Sequence, residues 1–337
     1  MRYRTFGKTG RPHEIGKDIS RGWKVSEIGF GCWGMGGGWG PRDDAEAKSA
    51  IRRALELGVD FFDTAWIYGE GQSEKLLGEG LRGTDKLIRV ATKVPAKTLD
   101  WPARPGLDIR KAFPADWIIE CTETSLKRLG MQRVDLQQMH IWTDAWVEAD
   151  EWREAAARLK KQGKIKGFGV SVNDHEPDSA LKLVAGGQID SVQVIYNIFD
   201  PAPEQRLFPL AQEHGVAVIA RVPFDEGSLS GKFTRETRFP KSDWRSGYFK
   251  GERLTETCER VERLKSQLDK ETPTLSALAL KFCLSHPAVS TVIPGMRRQE
   301  HVEANCAVSD LPPLSSAKRA LLKEHAWARN FYRGAWD

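Results

Sequence analysis

At 337 residues the chain exceeds the usual size of a single domain, yet α/β barrels of this length are common as one unit, so one domain spanning 1–337 is expected. A net charge of +5 is small against 51 basic and 46 acidic residues, and no Lys/Arg block stands out, which argues against nucleic acid as a partner. Five cysteines, odd in number and without a Cys-x-x-Cys pair, suggest neither a disulfide framework nor a metal site.

The chain opens on polar residues, Met1-Arg2-Tyr3-Arg4-Thr5, and nowhere do 18 apolar residues run without a charge. Neither a signal peptide nor a membrane span is expected, and the protein reads as cytoplasmic. The stretch from Arg11 to Lys24 is polar and turn-rich, and its pattern suggests no function. Val25 to Gly31 reads as a first strand, followed by the glycine-rich run Gly29 to Gly40, which contains a literal G-x-G-x-x-G. A dinucleotide-binding fingerprint must open a helix at once, and Gly36-Gly37-Gly38 followed by Pro41 forbids one, so this run reads as the loop after strand one. The first helix is expected from Asp43 to Leu57, with acidic residues in its first turn and Gly58 as its stop.

The alternation then repeats. Strands are expected near Phe61, at Ile88–Thr92, Val134–Met139, Ile165–Val170, Ser191–Ile195, Val216–Ala220 and Val289–Ile293. Helices are expected from Ser73, at Pro114–Leu129 and Glu148–Lys161, and from Pro177 and Pro203. Eight such strands without a break in composition predict a closed parallel barrel, which makes the residues just after each strand the site candidates. Two segments break the rhythm. The polar, aromatic-studded run from Ser230 to Glu252 is too long for a plain connection and is expected to fold over the barrel mouth. The tail is expected to form a helix over Ala317–Ala328 outside the barrel, its last aromatic residues Phe331, Tyr332 and Trp336 approaching the mouth.

Three strand ends carry chemistry-bearing residues. Asp63 and Tyr68 follow strand two in Asp63-Thr64-Ala65-Trp66-Ile67-Tyr68-Gly69, Lys93 ends the apolar strand Ala91-Thr92-Lys93-Val94, and His140 ends Val134 to Met139. Each alone reads as readily as a structural residue; on successive barrel strands they form a pattern. With the following Gly71-Gln72-Ser73-Glu74-Lys75-Leu76-Leu77-Gly78, the pattern resembles the aldo-keto reductase family, nearest its bacterial and potassium-channel-β-subunit-like branch. The resemblance implies a (β/α)8 TIM barrel with an N-terminal hairpin cap and a C-terminal helix. It also implies NADPH-dependent reduction of an aldehyde or ketone, with Asp63, Tyr68, Lys93 and His140 as the catalytic tetrad. Carbonyl reduction needs an acid for the developing alkoxide, and a phenol with a pKa near 10 is expected to be brought toward neutrality by the Lys93 ammonium, itself held by Asp63. His140 would orient the substrate oxygen.

The same resemblance implies the cofactor contacts. Gly31, Cys32, Trp33 and Asp63 fall on the first two strand ends, with Trp33 facing either cofactor or substrate. Phe168-Gly169-Val170-Ser171-Val172-Asn173 resembles the family's Gly-Val-Ser-Asn motif, which carries over Ser171 and leaves open whether Asn173 or Val172 replaces the usual asparagine. Gln193 matches the glutamine that completes this amide clamp. Where the family often shows Tyr-Ser-Pro-Leu, this chain has Arg221-Val222-Pro223-Phe224, and Arg221 either stacks its guanidinium plane or points at a phosphate. Pro223, Gly227, Leu229, Gly231 and Lys232 fall on the implied pyrophosphate loop. Gly295, Met296, Arg297, His301 and Asn305 fall on the adenosine-phosphate segment, where Arg297 favours NADPH over NADH. Trp66, Trp101, Trp142 and Phe224 join Trp33, Tyr68 and His140 as candidate walls of an aromatic substrate slot.

Two competing readings differ in class. Some relatives resemble this chain in barrel and cofactor motifs yet serve as regulatory subunits of potassium channels. A sugar-phosphate isomerase on the same barrel would need a strand-end glutamate base and gives no reason for the Arg297 segment. The partner expected on the reductase reading is a small carbonyl compound, with a monomer or weak homo-oligomer and no membrane.

Overall fold

The computed structural model describes residues 1–9 and 21–332. Two strands, β1 (Tyr3–Thr9) and β2 (Arg21–Ser26), pair antiparallel as a hairpin. The other eight form one parallel sheet in chain order: β3 (Phe30–Gly31), β4 (Phe61–Asp63), β5 (Arg89–Val94), β6 (Val134–Met139), β7 (Ile165–Ser171), β8 (Ser191–Ile195), β9 (Ala217–Arg221) and β10 (Val289–Val292). Parallel bridges from Ile28 to Val292 and from Gly31 to Gly295 join the first strand to the last, so the sheet curls on itself as a TIM barrel. Phe6, Trp23 and Val25 of the hairpin pack on Phe61, Ala91, Leu136, Ala217, Ile219 and Ile293, one or two apolar residues from each of several strands, and so plug one end of the barrel. The opposite end, where the strands finish, is left for chemistry.

Helices α1 (Asp44–Glu56), α2 (Gln72–Leu81), α3 (Ile109–Ala112), α4 (Ala115–Leu129), α5 (Asp150–Lys161), α6 (Leu181–Ala185) and α7 (Leu207–His214) alternate with the strands. The expected helix start at Asp43 becomes an N-cap, its carboxylate accepting from the Ala45 and Glu46 amides. Three differences from the sequence reading matter. Val25 belongs to the hairpin, pairing with Arg4, so the first barrel strand is only two residues long and begins at Phe30. Three further helices, α8 (Arg245–Tyr248), α9 (Arg253–Leu264) and α10 (Leu275–Leu284), lie between β9 and β10, and the last two have no counterpart in the alternation read from sequence. After α11 (Gln299–Ala307), the final helix α12 is confined to Ser316–Lys323, which frees residues 324–332 to run back across the barrel. The insertion at 11–24 falls largely outside the described residues, and Trp336 lies wholly outside them. Among the described residues no helix is long and apolar enough to cross a membrane.

Close backbone approach sets the geometry around Tyr68. A Cβ on Gly69, which sits at φ +57°, would fall 2.0 Å from the Gly36 carbonyl oxygen, so the loops after β3 and β4 touch backbone to backbone. Helices α2 and α4 meet in the same way, since a Cβ on Gly78 would stand 2.2 Å from the Leu129 carbonyl oxygen. Alanine at an exposed helix position is worth about 1 kcal/mol over glycine, but overpacking costs roughly 1–3 kcal/mol. With backbone as the obstacle the second effect wins. Gly78→Ala is expected to lower the free energy of urea unfolding, and a gain in stability would show that the α2–α4 contact is not tight.

Candidate active site

Strand ends β4, β5 and β6 bring their polar residues to one place. Lys93 is fully buried, and its ammonium donates to Asp63 Oδ1 at 2.5 Å, to the Thr64 carbonyl at 2.8 Å and to the Tyr68 phenol oxygen at 3.4 Å. Burial works against the charged amine, yet Asp63 and Tyr68 outweigh it and hold the Lys93 pKa above its usual value. The other Asp63 oxygen accepts from Gln193 at 2.8 Å and from Gln138 at 3.3 Å, so the carboxylate is saturated by groups that fix its orientation. The Tyr68 ring stands 5.6 Å from that of His140, edge to face.

The electrostatics differ in one respect from the sequence expectation. Burial pushes the Tyr68 phenol above its ordinary value, and Lys93, helped by Arg221, offsets only part of that. The phenol therefore holds its proton at neutral pH. His140 is pushed the other way: burial, then the charges of Lys93 and Arg221, lower its pKa well below the usual imidazole value, so the ring is neutral.

The expected slot residues separate into two groups. Trp33 lies 6.3 Å from Tyr68 and 5.1 Å from Trp244, and the indole of Trp101 stands edge-on to His140 at 5.3 Å, so both border the tetrad. Trp142 does not. Its ring is fully buried against Trp146 and Trp152 in the core between sheet and helices, where its N–H donates to Asp144. Trp66 also turns away, packing on Trp117 of α4 beneath the Arg128 guanidinium. Phe224 is half-buried against the main core. Both tryptophan positions are corrections to the sequence reading, and in each the ring covers helix surface instead of the mouth.

The residues expected to meet a cofactor are distributed along the same rim. Ser171 is buried at the end of β7, Gln193 turns its amide nitrogen inward to Asp63, and Asn173 exchanges two hydrogen bonds with the Ala103 backbone. Val172 is core. Arg221 is tied down: one guanidinium nitrogen donates to the Val172 carbonyl at 3.0 Å and to Asp174 at 2.9 Å, leaving its buried Nε without a partner. Cys32, Leu229 and Met296 have fully buried side chains and present only backbone. A Cβ on Gly31 would lie 2.6 Å from the Ile293 carbonyl oxygen, so this glycine serves barrel closure. Beyond it, Pro223 is buried, Gly227 and Gly231 bound a short turn in left-handed conformations, and Lys232 is exposed. Gly295 is open, and Asn305 is buried in α11.

Near the start of α11 positive charge concentrates. A small cleft there is lined by Gly34, Arg42, Asp43, Glu46, Arg297 and Arg298. Burial, then repulsion from Arg298 and Arg245, lowers the Arg297 pKa, and burial followed by Lys232 lowers that of His301. Arg42, Arg297 and Arg298 share this cleft with the carboxylates of Asp43 and Glu46.

A feature the sequence reading missed in detail is how the tail is fastened. Residues 327–332 cross the mouth: the Trp327 amide donates to the Phe199 carbonyl, Arg329 pairs with Asp225 in a buried ion pair, and the Tyr332 hydroxyl donates to Glu226. Tyr332 also stacks on Trp244 with ring centroids 5.8 Å apart, so the Ser230–Glu252 segment and the tail meet over the barrel. Burial, with Asp225 and Asp174 adding repulsion, raises Glu226 to about 8 despite the Tyr332 hydrogen bond. Folded protein therefore keeps a proton that the unfolded chain releases near its ordinary glutamate pKa. The stability this proton carries is fully present in acid and is lost as pH rises through about 8. Glu226→Gln keeps the acceptor for Tyr332 without the titration, so its melting temperature relative to wild type is expected to climb by several degrees between about pH 5 and about pH 9. A difference that stays flat across that range would mean Glu226 is ionised in the fold.

The profile of the Aldo/keto reductase family matches residues 27–326. The aldo-keto reductase YhdN of Bacillus subtilis is 33% identical over 293 residues, covering 84% of this chain and 85% of that protein. A probable voltage-gated potassium channel subunit beta of Arabidopsis thaliana is 28% identical over 328 residues, covering 93% of each. Among solved structures, the holo form of an aldo-keto reductase from Bacillus halodurans superposes with a TM-score of 0.72 at 29% identity, over 98% of this chain and 97% of that one.

Proposed function

The chain belongs to the aldo/keto reductase family, as an NAD(P)H-dependent oxidoreductase, and we propose that it reduces an aldehyde or ketone to the alcohol with NADPH and Tyr68 as the general acid. The observation that carries this reading is the buried Lys93 ammonium shared between Asp63 and the Tyr68 phenol, with His140 facing the same phenol.

Bound NADPH would supply the hydride that adds to the carbonyl carbon. The chain supplies the proton and the place for it. Tyr68 presents a protonated phenol, which passes its proton to the carbonyl oxygen as the carbon is reduced. Negative charge then resides on the phenolate, where the Lys93 ammonium already stands within hydrogen-bond range, so no reorganisation is needed as charge develops. Asp63, held by Gln193 and Gln138, keeps that ammonium in position and charged. Neutral His140 can donate one ring N–H to the substrate oxygen without adding a charge that would compete with Lys93. Ser171 stands at the rim where the carboxamide would be held, while Arg297, His301 and Lys232 are the groups suited to the adenosine phosphates. Arg298 is partly engaged by Glu46 at 3.6 Å and Glu300 at 3.5 Å, which leaves Arg297 as the principal partner for a 2′-phosphate.

Two outcomes test this. Tyr68→Phe is expected to lower kcat for carbonyl reduction by at least ~100-fold, the usual weight of a general acid, while NADPH still quenches tryptophan fluorescence at nearly the wild-type concentration. Lost cofactor binding would contradict the assigned role. Arg297→Ala is expected to weaken NADPH by about tenfold, the scale of one charge-assisted contact, with NADH little changed. Equal weakening of both would remove the 2′-phosphate assignment. The similarity to the Arabidopsis protein carries a second reading, a nucleotide-binding regulatory subunit, which predicts retained NADPH binding with no carbonyl turnover that responds to Tyr68→Phe.

A further inference from the structure

Trp101 presents a contradiction: it is 43% exposed, on a loop, yet its indole holds one orientation against His140. An exposed ring of this kind gains little from packing, so something polar must hold it. Its indole N–H donates to Asp174 Oδ2 at 2.7 Å. The other oxygen of the same carboxylate accepts from Arg221 at 2.9 Å, and Asp174 itself is buried. The preceding residue fixes the loop by its backbone: the Ala103 amide donates to Asn173 Oδ1 at 3.0 Å, and Asn173 Nδ2 donates to the Ala103 carbonyl at 2.9 Å. Two consecutive residues after β7 therefore grip the loop after β5, one by its main chain and one by its ring. The Asn330 side chain, from the tail, donates to the Asp174 carbonyl at 3.4 Å, so the grip also meets the strap across the mouth.

We propose that Asp174 is a positioning residue for substrate selection, holding Trp101 upright beside His140 as a flat wall, so that carbonyl compounds bearing a planar apolar group are favoured over small ones. The inference rests on the carbonyl-reductase reading above. Its chemistry is that of a charge-assisted hydrogen bond to a buried carboxylate, which orders a side chain that would otherwise rotate in solvent. Arg221 neutralises the carboxylate, so the wall is apolar in front and ion-paired behind, and the substrate meets no net charge there. Asp174 touches neither the phenol nor the ammonium; besides holding Trp101 it pairs with Arg221, whose charge acts on Tyr68 and His140 for every substrate alike, so that part cancels in a ratio of two aldehydes.

The test uses full-length Asp174→Ala, Asp174→Asn, Trp101→Phe and the double variant Asp174→Ala/Trp101→Phe. The first readout is independent of activity: the indole N–H signal of Trp101 in tryptophan-labelled protein, assigned by its absence from Trp101→Phe. It is expected to be protected from solvent exchange in wild type and to lose protection in Asp174→Ala. The second is kcat/KM for benzaldehyde relative to propanal with NADPH. This ratio is expected to fall about tenfold in Asp174→Ala and in Trp101→Phe, the discrimination one pocket contact supplies, and to fall no further in the double variant. Asp174→Asn, whose single acceptor oxygen cannot serve both donors, is expected to fall between wild type and Asp174→Ala. An indole that stays protected without Asp174, or losses that add in the double variant, overturns the proposal while leaving the reductase reading intact. Turnover of neither aldehyde by wild type overturns the reductase reading, and the role in selection with it, whatever the indole signal shows.

Discussion

The organisation of the mouth depends on burying one ammonium. Lys93 sits at a fully buried position at the end of β5, and an unpaired charge there would cost several kcal/mol. Three acceptors converge on it from the neighbouring strand and its loop: the Asp63 carboxylate, the Thr64 carbonyl and the Tyr68 phenol. All three belong to β4 or the loop that follows it, so the cost of burying Lys93 is met only when that loop adopts one conformation. The left-handed Gly69 and its contact with the Gly36 backbone then follow as steric requirements. A buried ion pair is weak evidence for stability, but it is a strong determinant of where the phenol oxygen stands.

The second constraint is closure over that site. Loops after β3, β5, β7 and β9 do not stand independently. Asn173 and Asp174 hold the loop after β5, Arg221 reaches back from the end of β9, and Asn330 brings the tail onto the same group. The tail in turn lies on Asp225 and Glu226, two non-glycine residues at φ +47° and +54°. Such conformations are costly for ordinary residues and persist only where surrounding contacts over-determine them, which the ion pair to Arg329 and the hydrogen bond from Tyr332 do. The rim is thus one connected network in which the loops after β5, β7 and β9 and the tail share partners.

Much of this was legible in the sequence, and the reasons differ by element. The strands at Val134–Met139 and Ser191–Ile195 match their expected limits because each is a short segment that follows a glycine-marked helix end, in a chain where strand and helix alternate regularly. The convergence of Asp63, Tyr68, Lys93 and His140 was readable because they fall on successive strand ends, which a barrel must bring together. Helix α10 was not: it is buried on nearly every side, so it lacks the apolar stripe by which a surface helix announces itself. Trp142 and Trp101 look alike in sequence, each just past a strand, but the inward–outward alternation that would sort them ends with the strand. The tail contacts join residues more than 100 positions apart, and no local pattern encodes them.

The asparagine after β7 stands one residue later than in the family pattern, and the structure shows what it holds there. With Val172 in the usual place of asparagine, the side chain enters the core, and the amide one residue later faces the loop after β5. What the rim loses in one polar contact near Ser171 it gains as a fixed loop, with Asp174 and then Trp101 carried into place behind Asn173. Arg221, at the position where the family often shows an aromatic ring, donates to the Val172 carbonyl and to Asp174, so the end of β9 is tied to the same short segment that grips the loop after β5.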